Sequence, residues 1–283
     1  MADKDLRALG KKIKVIICDL DHTLLDSQKQ ISHANLTAIK KAQRNGIFVT
    51  ISSGRIFTML KTYQKDLAID GPLITTNGAA IVDSRDNKLL WSRPVDRSTS
   101  LKILDFAREK HYDYSALTGE ACYFSPNSVR IRKFHQYNHI ALAQGSPPIP
   151  LTYLNGDNRV VEGEIFKILI DERNPGELFE ASAFLSTIEG INFTNSEQGL
   201  LDIMTANVDK GMGVIQLRRI LGVKKEEICV FGDYVNDLPM FREAGFNIAM
   251  ENAHDTLKEQ AHYVTNHHDE DGVAKAIYKY ILQ

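Results

Sequence analysis

The chain is poor in cysteine. Its 283 residues include three, Cys18, Cys122 and Cys229, which make no even disulfide framework. Cys18 and Cys229 each lie inside an apolar run, where the thiol behaves as a small hydrophobe, and a reducing compartment fits this usage. There is no excess of charge of one sign: the formal net charge is −2, so a nucleic-acid partner is not expected. The doublets Lys40-Lys41 and Lys224-Lys225 read as solvated faces. No apolar run approaches the ~20 residues that span a bilayer, and no basic amphipathic stretch points to a membrane surface. The opening MADKDLRALGKK is polar and lacks an apolar signal core, so a cytoplasmic protein is expected. There are no internal repeats and no low-complexity tract.

What is present is ordinary globular composition, 43% apolar and 25% charged, in a chain long enough for two domains. The first part alternates strand and helix. Residues 13–18 form a short β-branched run suited to a strand buried on both faces. Ser32 can cap a helix through HANLTAIKKAQRN that Gly46 can end. IFVTI (47–51), a helix over 55–67, and a strand opening PLITTNGAAIV (72–82) follow. This order predicts an α/β fold with a doubly wound, mostly parallel, Rossmann-like sheet. The middle differs: two strands around a turn at 83–87, a helix with Ser98 or Thr99 as its cap, a proline-rich loop (146–150), a strand (164–171), a helix (175–190), and a strand–turn–strand over 191–204. The end returns to the first pattern, with a helix over 209–222, a strand over 227–233, further short strands, and a closing helix. The expected organisation is therefore a core from residues 1–82 and 206–283 with an α+β domain, 83–205, inserted into it.

Three Asp-x-Asp pairs occur, but Asp3/Asp5 and Asp269/Asp271 sit in polar surroundings and read as solvated. Asp19 and Asp21 instead follow a buried strand, at the rim where open α/β sheets bind ligands. A second acidic group, Gly232, Asp233, Asn236 and Asp237 in ICVFGDYVNDLPM, ends another apolar strand. If the two strands are neighbours, four carboxylates converge, and like charges sharing a site need a cation. A hard divalent ion with oxygen ligands answers this, and magnesium combines carboxylates with a substrate phosphate. SSGR (52–55) offers the Ser53 hydroxyl and the Ser53 and Gly54 amides near a helix start, an anion site. Lys210 begins a helix, where its charge opposes the dipole, as a partner for an anion would.

The chain resembles the haloacid dehalogenase superfamily of phosphatases, in particular the Cof-like type IIB with a large inserted cap. The resemblance rests on DLDHTLLDS (19–27), SSGR (52–55), NGA (77–79), DKG (209–211), GDYVNDLPM (232–240), and AMENA (249–253) followed by DGVAKAI (271–277). It implies that Asp19 is the nucleophile and that Asp21 is the general acid and then the base. It implies magnesium held by Asp19, the backbone carbonyl of Asp21, and Asp233, with Asp237 supporting the metal directly or through water. Ser53, Lys210 and Asn236 would hold the transferring phosphate, helped by the amides of Leu20 and Gly54. A carboxylate nucleophile divides hydrolysis into two steps through an aspartyl phosphate. The chain departs from the family where it has His22 and Glu251 in place of usual glycines, and Ser53 in place of a usual threonine.

The expectation is magnesium-dependent hydrolysis of small phosphomonoesters, sugar phosphates favoured, by a monomer or small homo-oligomer. A phosphomutase of the same fold is the nearest enzymatic alternative, and a phosphosugar-binding regulator without turnover the nearest non-enzymatic one. Arg130, Arg132 and Lys133 read as a solvated edge and Trp91 and Tyr123 as core packing. The pair His267-His268 lacks helical ligand spacing for a metal.

Overall fold

The computed structural model describes residues 2–143, 145–197 and 199–282. In chain order the first strands are β1 (Val15–Cys18), β2 (Phe48–Ile51), β3 (Pro72–Thr75), β4 (Ala80–Asp83) and β5 (Leu89–Ser92). Next come β6 (Asp113–Thr118), β7 (Cys122–Phe124), β8 (Leu151–Tyr153), β9 (Ile165–Asp171), β10 (Ile191–Glu197) and β11 (Leu200–Thr205). The last are β12 (Ile228–Gly232), β13 (Phe246–Ala249) and β14 (Tyr263–Val264). The chain divides into two compact units. Met1–Gly54, Tyr63–Trp91 and Asp209–Gln283 form the first, and Arg55–Thr62 with Ser92–Val208 form the second.

The first unit holds a parallel sheet in the order β14-β13-β12-β1-β2. Every residue of β1 is buried, as its unbroken Val/Ile run requires. The chain winds outward from β1 in both directions, towards β2 on one side and β12 on the other, so the topological switch point lies at β1 and β12. Beside β2, Ser53 N donates to Ile74 O (3.1 Å) and leads into the smaller β3-β4-β5 sheet. The helix His33–Arg44 starts where Ser32 accepts a hydrogen bond from Asn35 N (3.1 Å), and Gly46 follows its end with φ +81°. The buried Asn35 Oδ1 accepts from Ala274 N (2.9 Å), fastening the closing helical segment to this helix.

The second unit is a six-stranded sheet, β10-β11-β9-β6-β7-β8, antiparallel except for β7 and β8. Alternation along its strands feeds two cores. Tyr114, Ala116, Ile168, Ile170, Leu201 and Ile203 pack with residues of the helices Arg97–Glu109 and Pro175–Ser186. Leu117, Phe124, Leu169 and Leu200 pack with Ile131 and Phe134 of the helix Ile131–Ala143 and with Ile56.

Several expectations change. The single helix over 55–67 is instead a 3-10 turn, Phe57–Leu60, followed by a short α-helix, Lys61–Asp66. Its first half packs in the second unit, where Tyr137 Oη also donates to Met59 O; tertiary burial overrides the helical pattern. The helix Arg97–Glu109 is capped by Asp96, which accepts from Thr99 N (3.0 Å) and Ser98 Oγ (2.6 Å), so neither Ser98 nor Thr99 is the cap. The N-terminal polar stretch contains a helix, Asp3–Gly10, in which Leu6 is buried. Arg130 is not a solvated edge: its side chain is nine-tenths buried (10% accessible), 3.3 Å from Asp171. Tyr123 lies in the core as expected. The units part at Trp91/Ser92 and Val208/Asp209, some residues beyond the expected 82/83 and 205/206. The expected turn between β10 and β11 includes Gln198, which lies outside the described residues.

A polar chain runs from the core that contains Tyr114. Tyr114 Oη donates to Asn158 Oδ1 (2.8 Å), and Asn158 Nδ2 donates to Asp105 Oδ1 (2.9 Å). Tyr114→Phe leaves a buried amide oxygen without its donor, at an expected cost of about 1–3 kcal/mol. Urea denaturation reads this directly, and unchanged stability would show that Asn158 finds another donor.

Candidate active site

Asp19 follows β1 while still held to the sheet, its N donating to Phe231 O of β12 (3.0 Å). The register pairs Cys18 with Phe231, which sets Asp19 opposite Gly232 and next to Asp233. The chain then turns through Leu20–Leu24, with Asp21 extended (φ −70°, ψ 125°) and His22 left-handed (φ 60°, ψ 13°).

Three carboxylates meet here: oxygens of Asp19, Asp233 and Asp237 lie within 4.8 Å of one another, and all three residues are buried. Asp237 folds back over its own turn, accepting from Asp233 N (2.9 Å) and Tyr234 N (3.1 Å) through Oδ2. Gly232 makes room for it, since a Cβ there would stand 2.6 Å from Asp237 Oδ2. Lys210 Nζ lies 2.5 Å from Asp237 Oδ1 and 2.8 Å from Asp19 Oδ1, and the residue is 1% exposed. Lys210 is the first residue of the helix Lys210–Leu221, which begins at its N-cap Asp209. Gly211 lets that helix approach closely, because a Cβ would meet Pro239 O at 2.6 Å. Thr23 Oγ1 donates to Asp233 Oδ1 (2.8 Å) from the loop after β1.

Burial pushes Asp19 up to about 8 against the pull of Lys210, with Asp237 and Asp233 adding to the rise. Burial and then Asp237 push Asp233 up to about 6, although Thr23 and Lys210 oppose the shift. Burial disfavours the charge of Lys210, but Asp19 and Asp237 outweigh it and raise its pKa. One ammonium therefore does not neutralise the cluster. Asp237 has turn amides and Lys210 on its two oxygens, whereas Asp19 and Asp233 keep oxygen lone pairs to spare. Such an oxygen-only, over-acidic donor set fits a hard divalent cation.

Ser53 is buried at the end of β2, and its carbonyl accepts from Asn77 N (2.9 Å). Because β2 pairs with β1, Cys18 opposite Ile51, Ser53 shares the rim with Asp19. Gly54 fits tightly there, a Cβ standing 2.9 Å from Asn77 Oδ1. No helix opens at these residues as expected; the next turn begins at Phe57 after its N-cap Ile56. Leu20 is fully buried. Asn236 shares a turn with Asp237, but it is exposed and outside the buried cluster. Asp21 lies apart from the three carboxylates, its side chain 38% accessible and its Oδ1 3.0 Å from Lys29 Nζ. Thr23 and Lys29 escaped the sequence reading. Thr23 had a signal, a hydroxyl two residues beyond Asp21 inside DLDHTLLDS, whereas Lys29 lies in an unremarkable polar turn.

A parallel sheet with buried carboxylates and a lysine at its switch point defines an α/β protein with an acidic, lysine-braced site at the rim of its sheet. The sequence model for haloacid dehalogenase-like hydrolases matches residues 16–277, and the chain belongs to that family. Among its relatives, the 5-amino-6-(5-phospho-D-ribitylamino)uracil phosphatase YwtE of Bacillus subtilis is 32% identical over 93% of this chain and 96% of its own. YcsE of Bacillus subtilis, a phosphatase of the same name, is 29% identical over 95% of this chain and 96% of its own. A haloacid dehalogenase-like hydrolase from Bacteroides thetaiotaomicron matches in structure with a TM-score of 0.83 at 26% identity, over 94% of this chain and 99% of its own.

Lys210→Met should be severe, because it leaves buried carboxylates without their cation. The expected loss is about 3–5 kcal/mol of folding stability, read by chemical denaturation in the presence of chelator. A variant as stable as the parent would contradict the ion-pair geometry.

Proposed function

We propose that the chain is a magnesium-dependent phosphatase of small phosphomonoesters, sugar and sugar-alcohol phosphates favoured. The observation that carries this reading is the buried Asp19–Lys210–Asp237 contact beside Asp233 at the switch point of the sheet. The names of YwtE and YcsE support the substrate class, since both describe a phosphorylated ribityl compound.

In this reading Asp19 attacks phosphorus, the bond to the leaving oxygen breaks, and Asp21 gives that oxygen its proton. Water then attacks the aspartyl phosphate, Asp21 takes its proton, and inorganic phosphate leaves with Asp19 restored. Lys210, placed on an oxygen of Asp19, favours the ionised nucleophile against the burial that raises its pKa, and it stabilises charge on the transferring group. Ser53, the amides of Leu20 and Gly54, and Asn236 are the further phosphate donors we assign. Asp19, the Asp21 carbonyl and Asp233 would hold magnesium, with Asp237 behind them, and the ion would supply charge neutralisation for nucleophile and phosphate together. The second unit is, in this reading, the inserted cap.

Asp19→Asn is expected to abolish phosphate release, by at least ~10³-fold, while circular dichroism stays native. A phosphate-release screen over sugar phosphates, nucleotides, flavin mononucleotide and pyridoxal phosphate checks both substrate and metal. Turnover should vanish with chelator and return with magnesium. Full activity of Asp19→Asn, or of the chelated enzyme, would defeat the proposal.

A further inference from the structure

Asp21 stands on a loop that needs holding. Residues 22–27 follow β1 and begin with His22 in the left-handed conformation, which side chains other than glycine, asparagine and aspartate rarely adopt. Three side chains from the C-terminal part of the first unit grip this loop at three points. Asn252 Nδ2 donates to His22 O (2.8 Å). His268 Nδ1 bonds Leu25 O (2.9 Å), which fixes the proton on that nitrogen. Asp269 accepts from Ser27 N and from Ser27 Oγ, both at 2.7 Å.

The gripping residues are themselves linked. His268 N donates to Asn252 Oδ1 (3.1 Å), and the buried His268 ring meets the His22 ring edge-on with centroids 5.3 Å apart. Asp269 N donates to His267 Nδ1 (3.2 Å). His267, His268 and Asp269 bring ligand-type atoms within 4.8 Å of one another, yet both histidine Nδ1 atoms and both Asp269 oxygens already have partners. The bonds of the cluster thus run to the loop and to one another. Asp269, expected to be merely solvated, has a specific job.

We propose that Asn252, His268 and Asp269 are positioning residues for proton transfer: together they strap loop 22–27 so that Asp21 meets the leaving oxygen. This rests on the reading of Asp21 as the general acid. The strap would matter because Asp21 and the Lys29 it pairs with are both partly exposed, so the course of the loop helps to set where Asp21 stands. A displacement of ~1 Å in a catalytic group can cost ~10²-fold in rate.

Leaving-group dependence tests the strap. Glycerol 2-phosphate needs a proton on its departing alkoxide, whereas 4-nitrophenolate departs without one. Asp21→Asn should lower kcat on glycerol 2-phosphate at least ~10²-fold more than on 4-nitrophenyl phosphate. Asn252→Ala and Asp269→Ala should show the same selectivity in part, about tenfold, and Asp269→Asn, which keeps an acceptor for Ser27, should stay near wild type. The ratio of the two rates is read on whatever fraction folds, and Asp269 is exposed enough for its variant to fold. Equal losses on both esters, or no loss, in the strap variants while Asp21→Asn is selective would overturn the proposal. If Asp21→Asn itself treats both esters alike, or wild type hydrolyses neither, the reading beneath it fails and the strap falls with it.

Discussion

The first unit is organised around the Lys210 ammonium wedged between Asp19 and Asp237. A buried lysine is costly unless opposite charges meet it, and these two carboxylates come from different ends of the chain. Their meeting requires β1 and β12 to be neighbours and requires the helix of Lys210 to press against Pro239. The parallel pairing supplies the first requirement. The bare Cα of Gly211 supplies the second. Fold and site are thus one constraint seen at two scales: the strand order that buries the Val/Ile runs also brings the acids together.

The same contact divides the labour among the carboxylates. Asp237 is consumed by its own turn and by Lys210, which makes it a brace. Asp19 and Asp233 carry the raised pKa values, about 8 and about 6, that mark charge without sufficient compensation. Burial supplies the largest part of both shifts, so the pocket is dry enough for electrostatics to count and too acidic to be content with one lysine. Three carboxylates against one ammonium leave an excess negative charge that a divalent cation would offset, and in the proposed reading that offset is what lets a phosphate dianion approach.

Much of this was legible in the sequence, for identifiable reasons. Buried parallel strands write themselves as unbroken apolar runs, and the acids that end β1 and β12 stand out against them. Lys210 was legible because a lysine at a helix start runs against the dipole. What escaped was decided by distant packing. The segment 55–62 belongs to the second unit because Ile56 finds a core there, which local periodicity cannot express. Arg130 is buried by Asp171, more than forty positions away in the chain. The grip of Asn252, His268 and Asp269 on the first loop spans well over two hundred positions, and single polar residues in polar loops give no sign of it. Thr23 lies between these cases: the motif that contains it was plain, but its bond to Asp233 needed the fold.

The most direct measurement is anomalous diffraction from crystals soaked in manganese, a divalent stand-in for magnesium, with a phosphate mimic. The account predicts one strong peak within coordination distance of carboxylate oxygens of both Asp19 and Asp233, with the mimic beside it near Lys210. A peak elsewhere, or carboxylates of Asp19 and Asp233 that share no ion, would contradict it.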